Sequence, residues 1–170
     1  MEQTIFETRD RETEKESLMQ LVGFVLGKEL FGVDILMVQE IIREAAITTI
    51  PDAPDFIEGV INLRGNIIPI IDLRKRLRLR GGKDKDISDI WIIILNINDR
   101  VAGFIVDSVT QVLKIESNII KPPPDIVVAG LKSQYIRGVC KIDERLLVLL
   151  DFNRILLVEE IKKLSELKRA

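Results

Sequence analysis

The chain carries the same stretch twice. Gly59 to Leu77 reads GVINLRGNIIPIIDLRKRL, and Gly138 to Leu156 reads GVCKIDERLLVLLDFNRIL. Gly59, Val60, Asp72 and Leu77 match Gly138, Val139, Asp151 and Leu156 at a constant displacement of 79, with apolar set against apolar between them. A second echo joins Phe31, Val33 and Asp34 to Phe104, Val106 and Asp107 at a displacement of 73. Two copies fall short of the roughly three repeats a solenoid needs to bury its faces. The pattern therefore predicts two similar small subdomains side by side, whose seam is a natural place for a ligand or partner.

Within each copy, short apolar runs alternate with turn signals. LVGFVL and LFGV flank Gly27-Lys28-Glu29, GVINL and IIPIID flank Arg64-Gly65-Asn66, IWIIILNI and VAGFIVD flank Asn98-Asp99-Arg100, and GVCKI and LLVLLD flank Asp143-Glu144-Arg145. Gly, Asn or Asp between β-rich segments is a hairpin signal, so the skeleton is four hairpins, two per half. Pro69 cannot donate to a sheet ladder, which predicts that its strand is an edge or is bulged there. Asp72 and Asp151 precede LRKRL and FNRIL and suit helix N-caps. The leucines and isoleucines at 157, 161, 164 and 167 predict a C-terminal helix over 157–170. Residues 1–18 are charged and aperiodic and read as a flexible tail. RGGKDKDISD is expected to join the halves, roughly 19–85 and 86–156. In SNIIKPPPDIVVAGLKSQ three consecutive prolines exclude helix and sheet interior.

Composition narrows the function. With 46% apolar residues a packed core is expected, and a net charge of −2 does not select nucleic acid or an anionic membrane. There is no histidine and one cysteine, Cys140, which removes the usual general base and makes a zinc site improbable. Cys140 falls within an apolar strand pattern and reads as a buried thiol. The N-terminus lacks the apolar segment of a signal peptide, and runs such as IWIIIL are far too short to span a bilayer, so a cytoplasmic protein without membrane insertion is expected.

Candidate chemistry is sparse. A duplicated Asp72 and Asp151 could form a carboxylate dyad, but neither stands in the Asp-Thr/Ser-Gly turn that such a dyad uses, and capping is the better reading. Gly81-Gly82-Lys83 lacks phosphate-loop spacing. The RKRLRLR run at 74–80 could meet phosphates, yet no aromatic residues interleave with it, and a solvated helix edge is the better reading. Arg64, beside Gly65 at a hairpin tip, is either an ordinary exposed turn arginine or a guanidinium offered to a partner carboxylate. Glu40 interrupts an apolar run, and Trp91 opens one, as core or as interface anchor.

FGVDILMVQEII at 31–42, PDAPDFIEGVINLRGNIIPIIDLR at 51–74 and VAGFIVDSVTQVL at 101–113 resemble the CheW family of bacterial chemotaxis coupling proteins. The likeness covers about residues 20–156. It implies a mainly β fold of two intertwined five-stranded SH3-like β-barrels related by the duplication, with short helices. It also implies a non-catalytic, stand-alone adaptor, without cofactor or metal, that is recruited to membrane receptor arrays. In the family, the helical tip of methyl-accepting chemoreceptors enters a groove between the barrels, and Val38, Glu40, Arg64, Trp91 and Val112 occupy the corresponding positions. Trp91 departs by standing where a small aliphatic is found in a relative. The histidine kinase CheA contacts barrel ends through its regulatory domain, and Lys121, Asp125 and Ile126 match one such surface. The competing readings are an SH3-like protein- or nucleic-acid-binding module and, third, a carboxylate-dyad enzyme.

Overall fold

The computed structural model describes residues 18–79, 89–123 and 133–155. The C-terminal helix expected over 157–170 lies outside these, as do residues 1–17 of the tail expected over 1–18 and 80–88 of the joining segment expected over 80–89; Leu18 instead opens β1. Ten strands run in chain order: β1 (Leu18–Leu26), β2 (Glu29–Asp34), β3 (Val38–Ile42), β4 (Ile57–Leu63), β5 (Asn66–Asp72), β6 (Trp91–Ile97), β7 (Arg100–Val106), β8 (Ser108–Glu116), β9 (Ile136–Ile142) and β10 (Arg145–Leu150). Short helices, Leu73–Leu77 and Phe152–Ile155, follow β5 and β10.

All four expected hairpins form, each with a two-residue loop. In three of them both loop residues have positive φ: Arg64-Gly65, Asn98-Asp99 and Asp143-Glu144. That is the mirror-image turn whose twist matches the flanking strands. The side chains of Asn62 and Asn96 reinforce two of these turns, accepting from Gly65 N–H and Asp99 N–H at 2.9 Å each.

Strands assemble into two five-stranded sheets, β8-β1-β2-β10-β9 and β3-β6-β7-β5-β4. In repeat terms each sheet reads third, first, second, fifth and fourth strand, and in each the first hairpin is supplied by the other repeat. The sheets therefore do not follow the division at residues 85/86, because β1–β2 crosses into the sheet of the second repeat and β6–β7 into that of the first. The exchange is sealed by parallel pairing of β2 with β10 and of β7 with β5.

The register also corrects the second echo. Leu26 closes its hairpin on Glu29 as Ile97 does on Arg100, and Gly32 lies opposite Leu149 as Gly103 lies opposite Ile70. These hairpins correspond at a displacement of 71, not 73. A slip of two keeps every side chain on its own face, so the hydrophobic pattern could not reveal it.

Each sheet closes into a barrel through one isolated bridge, Thr48 to Val60 and Lys121 to Val139. The duplicated glycines make room for these closures. A Cβ on Gly59 would stand 2.1 Å from the Thr48 carbonyl oxygen, and one on Gly138 would stand 2.3 Å from Ile120 Cγ2 and 3.1 Å from the Lys121 oxygen. Gly59 also adopts φ +153°, which side chains disfavour.

Three apolar layers result. Leu21, Leu30, Cys140, Leu147 and Leu149 fill one barrel, and Ile61, Ile68, Ile70, Ile92 and Ile94 fill the other. Between the barrels lies the largest cluster, including Phe24, Phe31, Ile93, Leu95, Phe104 and Phe152. Strand β6 sends Ile92 and Ile94 into its barrel and Ile93, Leu95 and Ile97 into the seam. A strand buried on both faces explains its unbroken apolar run.

Pro69 departs from expectation, since β5 is an interior strand and the bulge lies on β4, between Ile57 and Gly59. Val60, opposite Pro69, donates its N–H to the Thr48 carbonyl and accepts from Thr48 N–H. The proline nitrogen accordingly faces the β7 side, where pairing begins only at Ile70. The missing donor falls where no ladder bond is required.

Candidate functional site

The predicted receptor-facing residues gather around the edge strand β3. A bulge between Val38 and Glu40 reverses which face the strand presents. Val38 stands opposite Leu95 of the seam, whereas Glu40 stands opposite Ile94 of the barrel interior. Glu40 thereby reaches the β4–β5 turn. Arg64, held at φ +53°, donates to both carboxylate oxygens, Nη1 to Oε2 at 2.6 Å and Nη2 to Oε1 at 3.2 Å. The Arg64 side chain is 75% exposed and that of Glu40 26%. The guanidinium offered by the hairpin tip is thus already engaged, and by a carboxylate of this chain.

Beyond the bulge, Ile41 lies opposite Ile93 and faces the seam, 36% exposed. Val38 and Trp91 are half-buried and pack on the seam cluster. Arg43, one step past the Ile42–Ile92 pair, faces Trp91 across the strands and lays its guanidinium 4.3 Å from the ring centroid. Trp91 is therefore both a core and a surface residue: one part of it packs on the seam and another carries an arginine.

Val112 belongs to the other barrel. It sits on edge strand β8 opposite Val22 of the seam, past a matching bulge, and is 49% exposed. It is the repeat counterpart of Ile41. Both edge strands thus present one exposed aliphatic residue to the layer between the barrels.

Among the predicted kinase-facing residues, Lys121 is exposed, and its backbone closes on Val139 the same barrel that carries Val112. Asp125 and Ile126 lie outside the described residues. The paired aspartates act as caps. Asp72 Oδ1 accepts from Lys75 N–H at 3.3 Å, and Asp151 Oδ1 accepts from Asn153 N–H at 3.1 Å. Burial raises the Asp72 pKa, opposed by the hydrogen bond from Lys75 N–H and reinforced by nearby Glu58. Burial likewise pushes the Cys140 thiol up, away from the reactive thiolate.

The basic run is a solvated helix edge only in part: Lys75 and Arg78 are exposed, whereas Arg74 and Arg76 are half-buried. Arg74 Nη2 donates to Asp107 Oδ2 at 2.5 Å, and the same oxygen accepts from Gly27 N–H at 2.7 Å. Lys75 pairs with Glu58 at 2.7 Å. Arg76 lies 5.0 Å and 5.4 Å from the ring centroids of Phe56 and Tyr135, which are repeat counterparts leading into β4 and β9. Three of the five cations are thus spent within the protein, two of them tying one barrel to the other. Among the described residues no group of three or more His, Cys, Asp or Glu could hold a metal ion, and no helix is long and apolar enough to cross a membrane.

Sequence reasoning missed Ile41 and Arg43. The adjacent isoleucines of VQEIIR carry a signal, since two neighbouring apolar residues on a strand must face opposite ways, but only the bulge decides which of them meets the seam.

Comparison with known proteins places this geometry. The family model described as CheW-like domain matches residues 20–160. A chemotaxis protein CheW of Treponema pallidum is 37% identical over 151 residues, covering 87% of this chain and 88% of that protein. One from Klebsiella aerogenes is 42% identical over 138 residues, covering 81% of each. The crystal structure of the scaffolding protein TtCheW from Thermoanaerobacter tengcongensis superposes with a TM-score of 0.76 at 39% identity, covering 84% of this chain and 94% of that one. With two barrels that exchange their first hairpins, and a family match spanning every described strand but the first two residues of β1, the chain belongs to the CheW-like family of chemotaxis coupling adaptors.

Proposed function

We propose that this adaptor joins the cytoplasmic tip of methyl-accepting chemoreceptors to the regulatory domain of the histidine kinase CheA, as a scaffold without catalysis of its own. The observation that carries the reading is the face of β3. Val38, Ile41 and Trp91 form an apolar strip along the seam, and the Glu40–Arg64 pair stands at its border. An amphipathic helix laid on such a strip gains affinity from apolar burial, while charged groups at its border fix register and partner. Val112 would meet the same helix from the second barrel. The kinase would engage a barrel end through Lys121, with Asp125 and Ile126, and residues 19–156 would form the working domain. Recruitment to membrane arrays follows from the receptor contact. The nucleic-acid reading is weakened, because three of the five cations of the basic run it rested on make internal contacts.

Tagged full-length protein should recover both a chemoreceptor and a histidine kinase from native lysate, and Val38→Asp should lose the receptor while keeping the kinase. Recovery of neither partner by the wild-type protein rejects the proposal.

A further inference from the structure

The two edge strands are repeat counterparts, so their differences reveal what one barrel has acquired. Ile41 and Val112 match, both exposed and facing the seam. Two positions on, Arg43 matches Lys114, and each carries a cation at the strand edge. The residue opposite differs: Arg43 meets Trp91, whereas Lys114 meets Gln20. The acid–base pair is likewise confined to one barrel, since Glu40 and Arg64 correspond to Gln111 and Asp143. Only the β3 edge combines an aliphatic strip with an arginine on an aromatic platform.

Arg43 and Arg64 are in opposite states. Both terminal nitrogens of Arg64 are taken by Glu40. Arg43 is exposed, its guanidinium rests on the indole of Trp91, and among the described residues no carboxylate or carbonyl accepts from it. Stacking fixes the plane of a guanidinium and leaves its edge of N–H donors pointing outward, so less side-chain freedom is lost when a carboxylate arrives. A carboxylate seeking Arg64 must first displace Glu40, whereas one seeking Arg43 displaces only water.

Resting on the function proposed above, we infer that Arg43, spread on Trp91, is the specificity-determining cation of the β3 face. It reads an Asp or Glu that borders the apolar stripe of the receptor-tip helix lying on Val38 and Ile41. Arg64 then acts through Glu40, as a positioning residue for the strip.

The test measures binding of a soluble chemoreceptor-tip fragment, encoded in the same genome, to the full chain. Affinity is read as a function of salt, together with emission from Trp91, the single tryptophan. The wild type should bind with a shift in Trp91 emission. Arg43→Glu should lose about tenfold or more in affinity and flatten the salt dependence, with Arg43→Lys intermediate. Trp91→Leu should lose part of the same increment, and an acidic-to-Lys change on the fragment should recover binding to Arg43→Glu. Arg43→Gln removes the charge at similar size and serves if charge reversal lowers the melting temperature. Wild-type affinity in Arg43→Gln and Arg43→Glu, with Val38→Asp abolishing binding, overturns the role of Arg43 and leaves the receptor surface standing. No binding by the wild type removes the receptor reading and this inference together.

Discussion

Arg64 grips Glu40 with two parallel hydrogen bonds, tying the β4–β5 turn to the edge strand β3 across the mouth of one barrel. The bond spans 24 positions of sequence and holds an arginine in left-handed backbone geometry at φ +53°. Partly exposed ion pairs of this kind contribute modestly, about 0.2–1 kcal/mol. Arg64→Glu should lower stability by somewhat more than that, because two carboxylates would then face each other. The exchange Glu40→Arg with Arg64→Glu should recover part of the loss. A double-mutant cycle by urea denaturation checks it, and zero coupling would show that the pair does not hold the turn.

The duplicated glycines should be unequal despite identical positions in the repeat. Gly59→Ala drives a methyl into the Thr48 carbonyl at a disfavoured φ, and about 3 kcal/mol or more should be lost from overpacking and strain combined. Gly138→Ala meets chiefly the side chain of Ile120, which can yield, and should cost about 1–3 kcal/mol. Denaturant midpoints of the two variants decide the order, and equal losses would mean that the Thr48 backbone moves as easily as an isoleucine methyl.

Asp72 should make stability depend on pH with a defined sign. Burial raises its folded-state pKa above the ordinary carboxylate value. Its favourable contribution is therefore complete below the unfolded pKa of about 3.9 and is lost as pH rises through the folded value. Asp72→Asn keeps an acceptor for Lys75 N–H without the buried charge. The melting temperature of the wild type minus that of Asp72→Asn should fall as pH is raised through this window, and a pH-independent difference would refute the assignment. Asp72→Ala should cost about 1 kcal/mol through loss of the cap.

Asp107 binds the barrels together by accepting from both Arg74 of the helix after β5 and Gly27 of the β1–β2 turn. The ion pair is largely shielded, with side-chain exposures of 20% and 15%. Asp107→Ala removes the acceptor that both share, and about 1–3 kcal/mol should go with it. Shielded pairs are weakly screened, so the loss should persist at high salt. Thermal melts with and without about 1 M salt, several times ordinary ionic strength, measure this; a difference that salt erases would place the pair on the wet surface.

Local chemistry in the sequence sufficed for much of this molecule. Gly, Asn and Asp at two-residue loops set the four hairpins, because positive φ is cheap only there. The repeat of Gly59 at Gly138 and of Asp72 at Asp151 foretold two like units with matched caps, whereas the charge interrupting VQEII said only that one residue there left the apolar pattern. The partnership of the halves was decided elsewhere. Nothing within LVGFVLGKELFGVD states that its second strand will lie parallel to β10 from the opposite end of the chain, since parallel pairing is non-local and leaves no turn to read. The slip from 71 to 73 was invisible for a related reason: strand faces recur every two residues, so the pattern fixes which side is buried but not which residue is opposite. For the same reason the bulge alone put Glu40 within reach of Arg64 and Arg43 over Trp91, where one residue more or fewer would have sent each side chain to the other face.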